Sequence, residues 1–258
     1  MSYISVEGVS KRFGDTQALK DVSFEVPQGE FVVVLGASGS GKSTLLRCMN
    51  GLTKPTSGTI TINDTDITEP HPEIAMIFQQ HNIIGQMSAY SNALTGTLQR
   101  SGVLESVLQS HDRKEKLEAL RALETVGLLD EAGQRANQMS GGQQQRVGIA
   151  RALVQKPMTL LADEPVASLD PGSAQKVMTY LLRAAENRQL TTVVSLHQVN
   201  LARQFGERFI GLKHGEVVFD GYAEDFDLDV IDRIYDSPST DGTDLGDLIS
   251  DETEATAQ

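Results

Sequence analysis

The sequence predicts an α/β fold whose body is interrupted by a helical insertion, and three observations carry that reading. The continuous apolar run Phe31-Val32-Val33-Val34-Leu35 leads into a glycine-rich loop and then a helical stretch. Such a run fits a strand buried on both faces of a parallel sheet. Two more apolar runs, Met158–Ala162 and Thr191–Leu196, return late in the chain with a helical stretch, Pro171–Glu186, between them. From about Gln80 to Lys156 the pattern is mostly helical instead.

The elements follow in order. Ile4 to Ile62 reads as short strands separated by turns. Val22-Ser23-Phe24-Glu25-Val26 alternates apolar and polar residues, as a half-buried strand does. Pro27-Gln28-Gly29-Glu30 is a turn, Ser43 to Leu52 is helical, and Thr59-Ile60-Thr61-Ile62 alternates again. In the insertion, Arg113 to Leu129 sets Leu117, Leu120, Leu123 and Val126 among charged residues, close to an amphipathic helix. Gln143 to Val154 is a second helix, preceded by Ser140-Gly141-Gly142. Phe209–Leu212 and Glu216–Phe219 read as a late hairpin about His214-Gly215.

Composition narrows the classes. Of 258 residues, 39% are hydrophobic and 22% charged, which excludes a mostly disordered or collagen-like chain. No apolar run approaches the ~18 residues that span a bilayer, and Met1–Ser5 lacks the basic-then-apolar start of a secretory signal. The single cysteine, Cys48, makes no internal disulfide and is expected to pack in the helix after the glycine-rich loop; a reducing compartment, by default the cytoplasm, is expected. The net charge of −13 sits at the end of the chain, where residues 220–258 hold 13 acidic residues and one basic residue. The body is close to neutral, which argues against nucleic acid as a partner. Residues 236–258 read as an acidic, disordered tail.

Gly36-Ala37-Ser38-Gly39-Ser40-Gly41-Lys42-Ser43 matches the phosphate-binding loop, with a buried strand entering and a helix leaving. The glycines let backbone N–H groups turn inward around phosphate oxygens, and the helix N-terminus adds positive potential. Lys42 is placed to reach the β- and γ-phosphates and the Ser43 hydroxyl to ligate Mg²⁺. Asp163-Glu164 ends the strand through Leu160-Leu161-Ala162. Neighbours at a strand end point to opposite sides, so Asp163 is assigned to the metal through water and Glu164 to an attacking water. Met139-Ser140-Gly141-Gly142-Gln143 precedes a helix and lacks a lysine, so it makes half a phosphate site. His197 follows the strand ending at Leu196 and falls where strand C-termini line a ligand crevice, within reach of a γ-phosphate. His71, His81, His111 and His214 lack comparable context, and no His/Cys spacing suggests zinc.

Taken together these residues resemble the nucleotide-binding subunits of ATP-binding-cassette transporters, over roughly residues 2–222. The resemblance implies a P-loop NTPase fold: a mixed sheet core, an inserted α-helical subdomain at about 80–156 and an N-terminal antiparallel β subdomain, all within 1–235. It implies ATP and Mg²⁺ as ligands, with Gly36 to Thr44 as the phosphate loop. Gln79 matches the glutamine loop that senses Mg²⁺ and contacts the transmembrane partner. Ser140-Gly141-Gly142-Gln143 matches the signature motif, Asp163 and Glu164 the metal-binding aspartate and catalytic glutamate, and His197 the switch histidine. Ser168-Leu169-Asp170 matches the loop that crosses the dimer interface, and Phe13 falls where the family stacks a ring on adenine. Two departures are visible: Met139 replaces the usual leucine, a volume-conserving change, and Phe13 replaces a more usual tyrosine.

The resemblance further implies that two copies pack head to tail, so that Ser140 and Gly142 of one complete the phosphate site of the other. ATP binding joins the copies and hydrolysis lets them part, driving separate transmembrane permease subunits and, indirectly, a solute-binding protein. The subunit is then peripheral, on the cytoplasmic face of the inner membrane. A narrower resemblance, to the ATP-binding subunits of phosphonate importers, rests on Phe78-Gln79-Gln80-His81-Asn82, Ala162–Pro171, Ser195-Leu196-His197-Gln198-Val199 and the stretch Gly221 to Tyr235. It implies phosphonates or related reduced-phosphorus anions such as phosphite as cargo. Two alternatives stay open from the residues alone: an importer ATPase for another small solute, and a soluble cassette ATPase that never meets a membrane.

Overall fold

A computed structural model describes residues 2–79, 82–99 and 112–235 of the chain. The acidic 236–258 segment, Gln80, His81 and His111 lie outside the described residues.

The N-terminal region is an antiparallel sheet. Strands β1 (Ser2–Phe13) and β2 (Thr16–Pro27) form a long hairpin, with β4 (Ser57–Ile62) and the short β5 (Thr65–Asp66) beside it in the order β2-β1-β4-β5. Here the expectation of short strands is corrected: β1 and β2 each run 12 residues. Register shifts between Val6 and Val9, Val9 and Lys11, and Lys11 and Arg12 break the alternation while the pairing continues. A bulge hides a continuing strand from a period-of-two reading.

The central sheet has the order β10-β9-β3-β8-β7-β6. Strands β3 (Phe31–Leu35), β6 (Ile74–Ile77), β7 (Thr159–Asp163), β8 (Thr191–Leu196) and β9 (Arg208–Lys213) run parallel. Strand β10 (Glu216–Tyr222) pairs antiparallel with β9 about the His214-Gly215 turn, as the sequence indicates. This mixed sheet with a second, antiparallel one is the fold class expected. All residues of β7 and β8 are buried. In β3 the faces divide: Val33 and Leu35 join the core under the helices, Val32 and Val34 the core between the two sheets.

Helices α1 (Lys42–Met49), α2 (Ala89–Leu94), α3 (Arg113–Thr125), α4 (Gly141–Val154), α5 (Pro171–Arg188), α6 (Val199–Phe205) and α7 (Leu228–Tyr235) complete the described chain. Cys48 is fully buried in α1. Two helix readings change. The stripe of α3 is Ala119, Ala122 and Leu123, followed by Val126, whereas Leu117 is exposed. Small alanines let α3 approach its neighbours closely, and a scan for large apolar residues overlooks them. The second helix starts at Gly141, two residues earlier than expected, because Ser140 caps it.

Candidate functional site

The loop between β3 and α1 is shaped by close backbone contact. A Cβ on Gly36 would lie 2.2 Å from the Leu212 carbonyl oxygen and 2.5 Å from the Ser40 Oγ, and one on Gly41 would lie 2.6 Å from the Ala18 carbonyl oxygen. Only glycine fits at either place. The Gly215 amide donates to the Ser40 carbonyl at 2.9 Å, tying the loop to the β9–β10 turn. Ala37, Ser38 and Gly39 stand exposed at the crest.

Lys42 opens α1 with its side chain only 3% exposed. Its Nζ donates to the Gly36 carbonyl at 2.7 Å and the Ala37 carbonyl at 3.1 Å, and pairs with Glu164 Oε1 at 3.3 Å. The next side chain, Ser43, donates to Asp163 Oδ1 at 2.8 Å. Thr44 follows, half-buried. A buried ammonium is held where a loop of backbone N–H groups and a helix start converge, which is a cradle for an anion. The Ser40 hydroxyl is buried there without a hydrogen-bond partner among the described residues. An orphaned donor inside the glycine cradle fits a phosphate oxygen. The hard oxygens of Ser43 and Asp163 fit Mg²⁺.

Register brings the acidic pair to this cradle. Strand β8 lies between β3 and β7, with Leu35 opposite Leu196 and Asp163 opposite Ser195. The Ser195 hydroxyl donates to Asp163 Oδ1 at 3.1 Å and accepts the Glu164 amide at 2.9 Å. Strand alternation does not place this pair. The strand ends at Asp163, and Glu164 takes a left-handed turn with φ +45°. For a non-glycine residue that turn costs about 1–2 kcal/mol. Beyond that turn Glu164 meets Lys42 while Asp163 meets Ser43, and the Ser195 hydroxyl holds the Glu164 amide. Ser195 heads a stretch that carries the narrower resemblance but receives no role of its own from it. Its chemical signal is a hydroxyl near the end of a buried strand.

The remaining candidates are placed as follows. His197 lies just past β8 with an exposed side chain. Its carbonyl accepts the Tyr235 hydroxyl at 3.0 Å. Gln79 is exposed two residues beyond β6, at the same end of the sheet as Asp163. Phe13 ends β1 half-exposed, with the Lys11 ammonium 4.9 Å from its ring centroid. Ser140 and Gln143 form a capping box: the Gln143 amide donates to Ser140 Oγ at 3.3 Å, and the Ser140 amide to Gln143 Oε1 at 2.9 Å. Gly141 and Gly142 face the start of α5, where a Cβ on each would come within 3.2 Å of Leu169 and Ser173 respectively. Asp170 caps α5, and hydrogen bonds from Ser173 hold its carboxyl below the ordinary range. The Lys42 cluster is therefore built by β3, α1, β7 and β8, and the Ser140 cluster by α4 and α5.

A mixed, mostly parallel sheet, a glycine cradle with a buried lysine and a strand-end carboxylate pair define a P-loop ATPase cassette. Residues 19–167 match the family model described as ABC transporter. Curated relatives include the Phosphonates import ATP-binding protein PhnC of Halobacterium salinarum, 62% identical over 96% of this chain and 88% of the relative. PhnC 1 of Haloquadratum walsbyi is 58% identical over 91% of this chain and 78% of the relative. Among solved structures, a dimeric ATP-binding cassette in a post-hydrolysis state bound to ADP and Pi matches with a TM-score of 0.73. It is 36% identical and covers 86% of this chain and 100% of that one. A nucleotide-free cassette from an ABC transporter matches with a TM-score of 0.78 at 25% identity, covering 92% of this chain and 96% of that one. The chain belongs to the ABC transporter family and is an ATPase of that type. No helix among the described residues is long and apolar enough to cross a membrane.

Proposed function

We propose that this chain is the ATP-hydrolysing subunit of a phosphonate importer, carrying the chemistry on the Lys42–Glu164–Asp163 cluster. In this reading residues 1–235 form the ATPase domain, with a helical subdomain at about 80–156, and 236–258 is an appended acidic tail. Identity to PhnC proteins, 62% and 58% in two haloarchaea, supports phosphonates as the cargo. The partners are a second copy arranged head to tail, transmembrane permease subunits and, through them, a solute-binding protein. The subunit then sits peripherally on the cytoplasmic face of the inner membrane.

The chemistry is phosphoryl transfer to water, which needs positioning and charge neutralisation more than covalent help. Lys42, now satisfied by two loop carbonyls and Glu164, trades these oxygens for the β- and γ-phosphates. The backbone N–H groups from Gly36 to Thr44 hold the remaining phosphate oxygens, and Phe13 offers a ring face to adenine. Ser43, Gln79 and, through water, Asp163 would hold Mg²⁺, which would supply charge neutralisation. Glu164 orients the attacking water and accepts its proton, and His197 keeps water and phosphate in line. Ser140, Gly141, Gly142 and Gln143 reach the nucleotide from the partner copy, with Asp170 at the crossing.

The single observation behind the reaction assignment is the buried Lys42 Nζ 3.3 Å from Glu164, beside the Ser43–Asp163 pair. Glu164→Gln is the test. Loss of a positioned base lowers turnover by roughly 10²–10⁴-fold, with ATP binding retained. Full hydrolysis by the variant refutes the assignment. For cargo, ATPase activity of the reconstituted transporter is compared with the binding protein loaded with a phosphonate, phosphite or phosphate. Stimulation by phosphonate above the others is expected.

A further inference from the structure

Tyr235 ends the stretch Gly221 to Tyr235 and has no role in the chemistry so far, yet its ring ends at the site. It closes α7, and its hydroxyl donates to the His197 carbonyl at 3.0 Å. The hydroxyl thus holds the backbone of the histidine that follows β8, the strand between β3 and β7. Burial pushes the phenol up to about 12, so it stays a hydrogen-bond donor at any working pH.

The helix does not need this hydroxyl in order to dock. Val230 and Ile234 are buried, and Ile234 packs so closely on Gly211 that a Cβ there would lie 2.6 Å from its Cδ1. The Val230 amide donates to Asp227 Oδ1 at 2.9 Å, and Arg203 donates to the Phe226 carbonyl at 3.1 Å, fixing the start of the segment. Apolar packing holds the helix, and the hydroxyl serves the site.

We propose that Tyr235 is a positioning residue for hydrolysis: its hydroxyl ties the backbone of His197 to α7, which packs on Gly211 of β9, and so sets where the histidine stands relative to the phosphate loop. The idea rests on the roles given above to His197 and the phosphate loop. It makes the last helix of the described chain part of the machinery that places the histidine.

Tyr235→Phe removes one oxygen and keeps the ring. In the full chain with its permease, turnover is expected to fall about fivefold, the effect of one neutral hydrogen bond on a reacting geometry. The KM for ATP should stay within about twofold, and the thermal midpoint within roughly 4 °C, since a single bond is lost. In a His197→Ala background, the same change should lower turnover no further, because the clamped group is gone. Unchanged turnover in Tyr235→Phe overturns the proposal. So does a loss that tracks the KM or the thermal midpoint, or one that adds in full to His197→Ala. Glu164→Gln run alongside separates the two levels. If it stops turnover while Tyr235→Phe is silent, only the clamp fails; if it does not, the site assignment fails first.

Discussion

The Lys42 side chain is 3% exposed, and burial of a charged group on that scale is tolerable only with oxygen partners close by. The Gly36 and Ala37 carbonyls and Glu164 supply them. Lys42→Ala removes the cation and leaves those oxygens facing one another. Hydrogen bonds to a charged group are worth about 1.5–3 kcal/mol, so ATP affinity should fall roughly 10- to 100-fold. Titration calorimetry with an ATP analogue checks this, and unchanged affinity counts against the loop as the phosphate site. At this scale the sequence was informative where chemistry is written in residue type. Lys42, Ser43, Asp163 and Glu164 stand out because few other residue types do their work. Ser195 and Tyr235 do not, since a hydroxyl in an apolar strand or a tyrosine in a short helix has many ordinary uses.

Among the elements, the start of α4 has one use that the structure shows and a second that is proposed. Ser140 and Gln143 satisfy each other's backbone amides in a capping box, which accounts for both residues without any ligand. Ser140→Ala should cost about 1 kcal/mol of stability through the lost cap, a drop in thermal midpoint of roughly 2–4 °C for a chain of this size. If Ser140 also reaches the partner's nucleotide, turnover falls by more than that stability loss explains. Thermal melts and ATPase rates on one preparation separate the two effects. Periodicity located α4, α5 and β8 well and misjudged β1, β2 and the buried face of α3. Bulges in β1 interrupt alternation without ending the strand. Alanines on α3 bury as fully as leucines while giving a weak apolar signal.

At the scale of the whole molecule, the lysine cluster and the Ser140 cluster belong to different sets of elements, and the proposed head-to-tail dimer would bring them together between copies. Two damaged chains test this. Lys42→Ala spoils the loop side and Ser140→Arg the capping side, so each alone should be inactive. Mixed in equal amounts, half of the pairs are hybrids and each hybrid keeps one clean site. Activity should therefore return to about a quarter of the wild-type level if the arrangement is a closed two-fold dimer. No recovery on mixing would argue for sites completed within one chain.

By itself the sequence determined the strand–loop–helix of the phosphate site, the strand-end carboxylates and the alternation of sheet and helix around them. These are local patterns, set by side-chain type and spacing within a few residues. Only the tertiary structure decided that Ser195 braces Asp163 across 32 positions of chain, that Glu164 leaves its strand through a left-handed turn, and that Tyr235 closes on His197 from 38 residues away. Those contacts depend on how parallel strands fall into register and where the last helix packs. Register is fixed by the summed burial of both sheet faces, a property no single segment carries.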